Sequence, residues 1–192
     1  MAHYLDDLLF HSYFVPKIGH ERAEAIMLVL PDKFDSNEWF IILSIIVAYS
    51  FILILPKRFP LSITLILLIF NMTYAQVVDH ILAGVSVDLY DINDVEKYEW
   101  FDWITWFLYP PFGYLFAYFY DKWSVRGVRV FWYIILWVFI AMGQEMLCLW
   151  FNIFTYDGWK IPYSFPVYIL TLCLYLLFFL YMKGTFERLK NR

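Results

Sequence analysis

Five long stretches without charged side chains constrain this chain more than any other feature. They are Trp39–Pro56, Phe59–Val78, Trp103–Tyr120, Ile161–Met182 and Val130–Tyr156, the last interrupted only by Glu145. Roughly 20 helical residues cross a bilayer core of about 30 Å, so each stretch is long enough for one span. Strands of membrane barrels alternate polar and apolar residues, and these stretches do not. The sequence therefore predicts an all-α fold, a polytopic transmembrane helical bundle of five spans.

Composition agrees with this class. The chain is 62% hydrophobic and 17% charged, whereas soluble domains average about half apolar and a quarter charged. We expect residues 1–37 to form a tail outside the bilayer with a short interfacial helix in Ile18–Pro31, residues 38–184 to form the bundle, and residues 185–192 to form a second tail. The N-terminus lacks a basic region before its apolar residues, so the first span is expected to act as an uncleaved targeting signal. The predicted partner is the lipid bilayer, and no nucleic-acid motif is present.

Basic residues predict the orientation of the bundle, because Lys and Arg favour the cytoplasmic side. With five spans, the face that holds the first loop, the third loop and the C-terminus carries nine of them: Lys57, Arg58, Lys122, Arg126, Arg129, Lys183, Arg188, Lys190 and Arg192. The other face carries five, spread over longer segments: Lys17, Arg22, Lys33, Lys97 and Lys160. The N-terminus is therefore predicted outside and the C-terminus in the cytoplasm.

Proline and glycine interrupt the pattern at two places. Pro56 and Pro60 flank the short basic loop between spans one and two, and they are expected to stop both helices. Span three contains YPPFGY, Tyr109–Tyr114. Two interpretations of this segment stay open. It is either a broken helix that lines a cavity or a kink that improves packing.

Ionisable side chains gather near the outer ends of three predicted spans. Asp79 and His80 lie in the outer third of span two, Glu145 lies in the outer half of span four, and Asp102 lies at the outer mouth of span three. Charged groups inside a membrane are costly and are usually functional. Their shared depth is the strongest functional signal in the sequence.

Helical periodicity groups these side chains with neutral polar neighbours. On span two, Thr73, Gln76, Asp79 and His80 fall within an arc of roughly 120°. On span four, Gln144, Glu145, Cys148 and Asn152 fall within an arc of roughly 100°. Each span thus has one polar stripe, and the stripes are expected to face each other. The predicted ligand-binding residues are Gln76, Asp79, His80, Asp102, Gln144, Glu145 and Asn152.

Three functions fit this arrangement. The first is an outward-facing polar pocket for an ion, a small polar solute or a lipid headgroup, in transport or sensing, with a His80–Glu145 pair that would respond to external pH. The second is a non-catalytic structural or accessory subunit of a larger membrane complex, in which the ionisable groups pair to hold the helices together. The third is a membrane-embedded metal-dependent hydrolase with Asp79, His80 and Glu145 as candidate ligands. The other three histidines lie in the N-terminal tail, so the third function lacks ligands and no cofactor is assigned.

The segments LPKRFP, DLYDIND, YPPFGYLFAYFYDK, FTYDGWK and YSFP together resemble a family of small five-span membrane proteins from endospore-forming Gram-positive bacteria. The resemblance covers most of the chain after about residue 38. It implies a multi-pass protein of the bacterial plasma membrane. It carries over no activity and no catalytic residue.

The predicted orientation is tested by single cysteines placed in the loop between residues 88 and 99 and after Arg188. We expect a membrane-impermeant thiol reagent to label the first in intact cells and to spare the second. Labelling of both after membrane disruption is the control. Labelling of the second alone in intact cells would contradict the orientation.

Overall fold

The computed structural model describes residues 34–82, 89–92 and 100–191, with the backbone alone for residues 90–92 and 100–102. Its helices are α1 Ser36–Ile54, α2 Leu61–Leu82, α3 Trp100–Thr105, α4 Tyr109–Lys122, α5 Arg129–Trp150 and α6 Ile161–Lys190, and its strands are β1 Tyr90–Ile92 and β2 Phe154–Tyr156. The all-α prediction is confirmed for these residues. Four helices in the described ranges, α1, α2, α5 and α6, are long and apolar enough to cross a membrane. The predicted interfacial helix at Ile18–Pro31 lies outside the described residues.

Local sequence accounts for the start of α1 and for both ends of the loop between α1 and α2. At the start of α1, the Asp35 side chain accepts a hydrogen bond from the Asn37 N–H, and the Glu38 side chain accepts one from the Asp35 N–H, each at 2.8 Å. This capping box satisfies two backbone donors that a helix start leaves without partners. As predicted, α1 ends before Pro56, and α2 begins directly after Pro60.

The third predicted span is a helix that a 3-10 turn interrupts, and its backbone keeps right-handed helical dihedrals on both sides of that turn, at Thr105, Leu108 and Tyr109. Short α3 passes into a 3-10 turn, Trp106–Leu108, and α4 starts at Tyr109. Pro110 and Pro111 occupy the first turn of α4, where a missing N–H removes no hydrogen bond and the fixed φ favours helix entry. The 3-10 turn therefore precedes the prolines and lies nearer the α3 end of the predicted span than its middle.

α4 is the central helix of the bundle. It packs against α1, α2 and α6, and its buried residues are Pro110, Pro111, Gly113, Tyr114, Phe116, Ala117 and Tyr118. Phe116 is fully buried, and its ring packs edge-on against Trp137 of α5 and Tyr175 of α6, with centroids 5.6 and 5.9 Å apart. An aromatic core therefore connects α4 to both later helices.

One glycine sets the approach of α2 to α4. The Asn71 amide on α2 donates a hydrogen bond to the Tyr109 carbonyl oxygen, in the first turn of α4. A Cβ atom on Gly113 would lie 2.6 Å from Asn71 Cγ, closer than atoms can approach. Gly113 thus leaves the room that the Asn71 amide needs.

Two short strands join the loops that follow α2 and α5. β1 and β2 pair antiparallel, with Tyr90 opposite Tyr156 and Ile92 opposite Phe154. The Leu89 carbonyl oxygen also accepts hydrogen bonds from the N–H groups of residues 157, 158 and 159, at 3.0–3.1 Å. Sequence analysis predicted a loop at β1 and the end of span four at β2, and it missed this pairing. The two loops consequently lie at the same end of the bundle.

α5 is shorter than the predicted fourth span. It ends at Trp150, and Asn152 adopts a left-handed backbone conformation with φ of 55°. The Ile153 N–H turns back to the Cys148 carbonyl at 2.8 Å, which closes the helix end in the manner of a Schellman motif. The predicted extension of this span to Tyr156 is therefore wrong, and β2 occupies those residues.

α6 is longer than the predicted fifth span. It continues without interruption through Lys190, about 45 Å at 1.5 Å per residue. The sequence predicted that the second tail would begin at residue 185, whereas that segment is the last two turns of α6. Pro166 lies inside the helix near its start.

An ion cluster forms at the end of the bundle opposite the strands. The Asp121 carboxylate accepts hydrogen bonds from Arg58, in the α1–α2 loop, and from Lys183 on α6. Partial burial of Asp121 works to raise its pKa. The hydrogen bonds and positive charges of Lys183 and Arg58 outweigh that effect, so the pKa lies below its ordinary value. The cluster ties three elements together at one end of the fold.

Gly113→Ala is expected to destabilise the bundle, because the added Cβ would collide with Asn71 and force α2 away from α4. Overpacking of this kind costs about 1–3 kcal/mol. The matched control is Gly143→Ala on α5, where a Cβ meets nothing within 4 Å and alanine favours a helix by up to about 1 kcal/mol. Thermal unfolding in detergent, followed by circular dichroism, measures both variants. Equal midpoints for the two would contradict this account of Gly113.

Asp121→Asn is expected to lower the free energy of unfolding by about 1 kcal/mol at neutral pH, since the ion cluster is partly exposed. The folded pKa of Asp121 lies below its unfolded value, so its contribution is fully present above an unfolded pKa of about 3.9. That contribution is lost as the pH falls through the folded pKa. The difference between the wild type and this variant should thus shrink below about pH 4.

The control for Asp121 is Glu187→Gln. Glu187 is 63% exposed and lies 3.8 Å from Lys183, so its loss should change stability by less than about 0.5 kcal/mol. Unfolding midpoints at several pH values between 3 and 7 give both results. A stability difference for Asp121→Asn that is independent of pH would contradict the role of its charge.

Candidate functional site

A cavity of about 390 Å³ lies inside the half of the bundle that carries the strands. That volume is within the range of small-molecule sites. Its walls come from α1, α2, the interrupted third helix, α5, β2 and α6. Most of the wall is apolar, and its polar side chains are Ser44, Asn71, Tyr74, Asp79, Thr105, Tyr109, Gln144, Glu145, Cys148, Tyr156, Trp159, Ser164, Tyr168, Thr171 and Tyr175.

Glu145 on α5 is the polar centre of this cavity, although its side chain is buried at 6% exposure. Its Oε1 atom accepts hydrogen bonds from the hydroxyls of Tyr156 on β2 and Ser164 on α6. Ser164 in turn accepts a hydrogen bond from Trp159 Nε1 at 2.9 Å. Tyr168 of α6 also lies against the carboxylate. The carboxylate thus joins α5, β2 and α6 through one oxygen.

The second carboxylate oxygen is different. Glu145 Oε2 is buried and has no hydrogen-bond partner within the described part of the chain, and the same holds for the Tyr175 hydroxyl deeper along α6. Both residues line the cavity. A buried polar atom without a partner costs about 1–3 kcal/mol, and more for a charged group. A hydrogen bond from a bound molecule to either of these two atoms would therefore contribute the most binding free energy.

Tyr156 is held as a hydrogen-bond donor. Burial first, and then the neighbouring Glu145, raise the pKa of the Tyr156 phenol above its ordinary value. The hydroxyl consequently stays protonated at physiological pH, and its proton is available to Glu145 Oε1. This leaves the free oxygen of the carboxylate, and not the bonded one, as the acceptor for a ligand.

Asp79 lies on the opposite wall. It accepts a hydrogen bond of 2.8 Å from the Tyr109 hydroxyl at the start of α4. The Tyr109 carbonyl receives the Asn71 amide described above, so α2 holds the start of α4 through both Asn71 and Asp79. Tyr109, Pro111 and Phe112 of YPPFGY line the cavity, as one interpretation predicted, but the helix is distorted by a 3-10 turn and not fully broken.

Only part of the polar stripe predicted on span four lines the cavity, because α5 ends before the last residue of that stripe. Gln144, Glu145 and Cys148 line the cavity, whereas Asn152 does not. The prediction extended helical geometry to a residue beyond Trp150, where α5 has already stopped. The Asn152 side chain is exposed, and its carbonyl oxygen lies 3.5 Å from the Asn37 amide.

The predicted stripe on span two faces mostly away from the cavity. Asp79 lines it, but Gln76 and His80 do not, and His80 is exposed. The cavity-lining face of α2 consists of Asn71, Tyr74, Ala75, Val78, Asp79 and Leu82. Its centre lies about 140° around the helix from the centre of the predicted stripe. Asp79 lies at the edge of both the cavity-lining face and the predicted stripe. The predicted pair between His80 and Glu145 does not form.

Two further predictions concern Asp102 and a metal. The Asp102 side chain lies outside the described residues, so its role at the cavity mouth stays a prediction. Within the described ranges, no group of three or more His, Cys, Asp or Glu side chains is placed to hold a metal ion. Asp79, His80 and Glu145 therefore do not converge on one point.

Sequence analysis missed the hydroxyl groups around Glu145. Tyr156 was assigned to span four, and Ser164 and Tyr168 to an ordinary apolar span. A usable signal was present in YSFP, because Ser164 lies one turn inside α6 at the same depth as Glu145. Tyr156 returns to the depth of Glu145 because the chain turns back at Asn152 and continues as β2, and the sequence pattern does not show this turn.

The cavity and its side chains are the basis on which a function can be assigned. The chain matches no protein-family model, and no curated protein or solved structure is significantly similar to it.

Proposed function

We propose that this protein binds an amphipathic small molecule in the cavity, with Glu145 as the anchor for a cationic or hydroxyl headgroup. The observation that carries the proposal is the buried Glu145 Oε2 atom without a partner, on the wall of a mostly apolar cavity. Binding of this kind serves transport or sensing, and the geometry favours neither over the other.

Charge explains why the ligand should present a donor. A carboxylate removed from water loses its hydration, and an opposite charge or hydrogen-bond donors must compensate for that loss. Tyr156 and Ser164 donate to Oε1, and the Tyr168 hydroxyl lies against the carboxylate, but Oε2 has no hydrogen bond in the described part of the chain. An ammonium or hydroxyl group of a ligand would complete the shell at Oε2 and form a charge-assisted hydrogen bond.

The walls explain why the ligand should be amphipathic. Although several polar side chains line the cavity, most of its wall surface is apolar and comes from residues such as Val78, Phe112, Leu115 and Leu172. A hydrated ion or a fully polar solute gains little from such walls, whereas a hydrocarbon segment gains about 25 cal/mol per Å² buried. Of the three ligand classes predicted from the sequence, a lipid-like headgroup with an attached apolar segment fits best. A catalytic metal is not proposed.

We further propose that the protein crosses the bacterial plasma membrane five times, with its N-terminus outside, as a member of the five-span family that its motifs resemble. The paired strands support this arrangement, since they bring the loops after α2 and α5 to one end. The cluster of Arg58, Asp121 and Lys183 supports it from the other end. In that arrangement, the interrupted third helix is the remaining span.

An accessory-subunit role is the second candidate. α1 leaves apolar side chains exposed, with Leu53 at 84% and Ile54 at 82%, and a larger membrane protein could cover them. In that case Glu145 would act only as a link between α5, β2 and α6, and its replacement would change stability rather than binding.

Glu145→Gln is expected to separate the two roles. Glutamine keeps an oxygen that can accept from Tyr156 and Ser164, but it removes the charge. A hydrogen bond to a charged group contributes about 1.5–3 kcal/mol, so affinity for a long-chain amine should fall at least about tenfold. The probe is hexadecylamine that carries a photoreactive diazirine, and the readout is its crosslinking to purified protein over a range of concentrations.

Glu38→Gln is the matched control, because Glu38 is also a buried glutamate but lies in the α1 cap and outside the cavity. It should leave crosslinking unchanged. Unfolding midpoints are recorded for both variants. If Glu145→Gln lowered the unfolding midpoint strongly and left crosslinking equal to the wild type, the binding proposal would be wrong and the structural role would stand.

A further inference from the structure

One wall residue of the cavity is exposed on the outside of the bundle. Among the described lining residues, most are buried or half-buried, and Val47 of α1 is the exception at 54% exposure. Ser44 and Ala48 lie beside it on the same face of α1 and also line the cavity. Two small side chains and a half-exposed valine therefore make the α1 wall thin at this place.

Val47 lies in the middle part of α1 and not at either end. Val47 is about 16 Å along the axis from the start of the helix at Ser36, which corresponds to mid-membrane depth for a spanning helix. By contrast, Glu145 is only about 8 Å from the end of α5 at Trp150. Glu145 is therefore nearer the strand end of the bundle than Val47 is.

The packing of α1 is consistent with a lateral gap. Its buried residues, Asn37, Glu38 and Ile41, all lie in its first two turns, and the cluster around Ile41 includes Ile104 of α3 and Leu108 of the 3-10 turn. Further along, Phe51 is 57% exposed and Leu53 is 84% exposed. The helix is therefore held at the strand end and covers the bundle less completely beyond Ser44.

We infer that the cavity opens sideways into the hydrocarbon core at Val47, and that its occupant is a single-chain membrane amphiphile that enters from the lipid. This inference rests on the proposed function at Glu145. The headgroup, an ammonium or hydroxyl, lies at Glu145 near the strand end, and the chain leaves past Val47 at mid-depth. Such a molecule keeps the orientation it has in a bilayer, with its polar end outward and its chain in the core.

The energetics favour this route over entry from water. A long-chain amine in the bilayer already has its chain in an apolar medium, so binding does not require the chain to be extracted into water. Each buried methylene that had to be extracted would cost about 0.8 kcal/mol. A portal at mid-depth leaves the far part of the chain in lipid throughout.

Val47→Trp tests the portal, because the indole would fill the gap between α1 and the cavity. The control is Ile46→Trp, on a neighbouring residue that is 55% exposed and does not line the cavity. Each variant is placed in nanodiscs of phosphatidylcholine that contain diazirine-bearing hexadecylamine. We expect Val47→Trp to slow the initial rate of crosslinking at least tenfold and Ile46→Trp to leave it unchanged. Equal rates for the two variants would overturn the portal.

A second probe separates this inference from the proposed function. A water-soluble diazirine-bearing butylamine should crosslink to Val47→Trp as it does to the wild type, because the site at Glu145 is intact. Loss of crosslinking to both amines in Glu145→Gln supports the site itself. If Glu145→Gln binds both amines normally, the proposed function fails. If only the effect of Val47→Trp is absent, the portal alone fails.

Ala48→Leu provides a second obstruction on the same wall for the case in which Val47→Trp does not fold. It adds less volume and should still slow crosslinking from the nanodisc. The butylamine result again serves as the measure of an intact cavity. A folded Ala48→Leu variant with unchanged rates for both amines would count against the lateral opening.

Discussion

The approach of α2 to α4 through Asn71 and Gly113 is the contact on which the rest of the bundle depends. A polar side chain between two packed helices needs a hydrogen-bond partner within the protein. Here the Asn71 amide reaches the Tyr109 carbonyl at the start of α4, and Gly113 makes that approach possible. Because α4 is the central helix, its position decides where α1 and α6 pack. The cavity is the space left beside the 3-10 turn.

The Glu145 carboxylate organises the other side of the same space. Tyr156 reaches it only because α5 stops at Trp150 and the chain returns on β2, and Ser164 reaches it from the first turn of α6. Pairing of β1 with β2 holds this return in place. The buried carboxylate therefore contacts three elements, and its Oε2 atom has no hydrogen-bond partner in the described part of the chain. The hydrogen bonds to Glu145 and the pairing of β1 with β2 thus hold the fold together and also shape the cavity wall.

Sequence reasoning succeeded where the physical signal is long or strong. Apolar run length predicted the four long helices, prolines predicted the α1–α2 boundary, and the stripe on span four placed Gln144 and Glu145 together. It failed where one residue or a very short segment determines the local structure. A left-handed Asn152 ended α5 early, and strands of three residues are too short to show alternation. On α2, polarity selected Gln76 and His80, but polar groups near a helix end can face outward at little cost, so periodicity alone could not find the cavity face.

The length of α6 has a mechanical consequence. Ser164, which binds the Glu145 carboxylate, and Lys183, which binds Asp121, belong to one continuous helix. Nineteen residues separate them, about 28 Å along the axis. A helix resists stretching, so these two polar contacts cannot change their separation independently. An axial displacement of α6 large enough to break the Ser164–Glu145 bond would pull on the Lys183–Asp121 ion pair at the far end by the same distance.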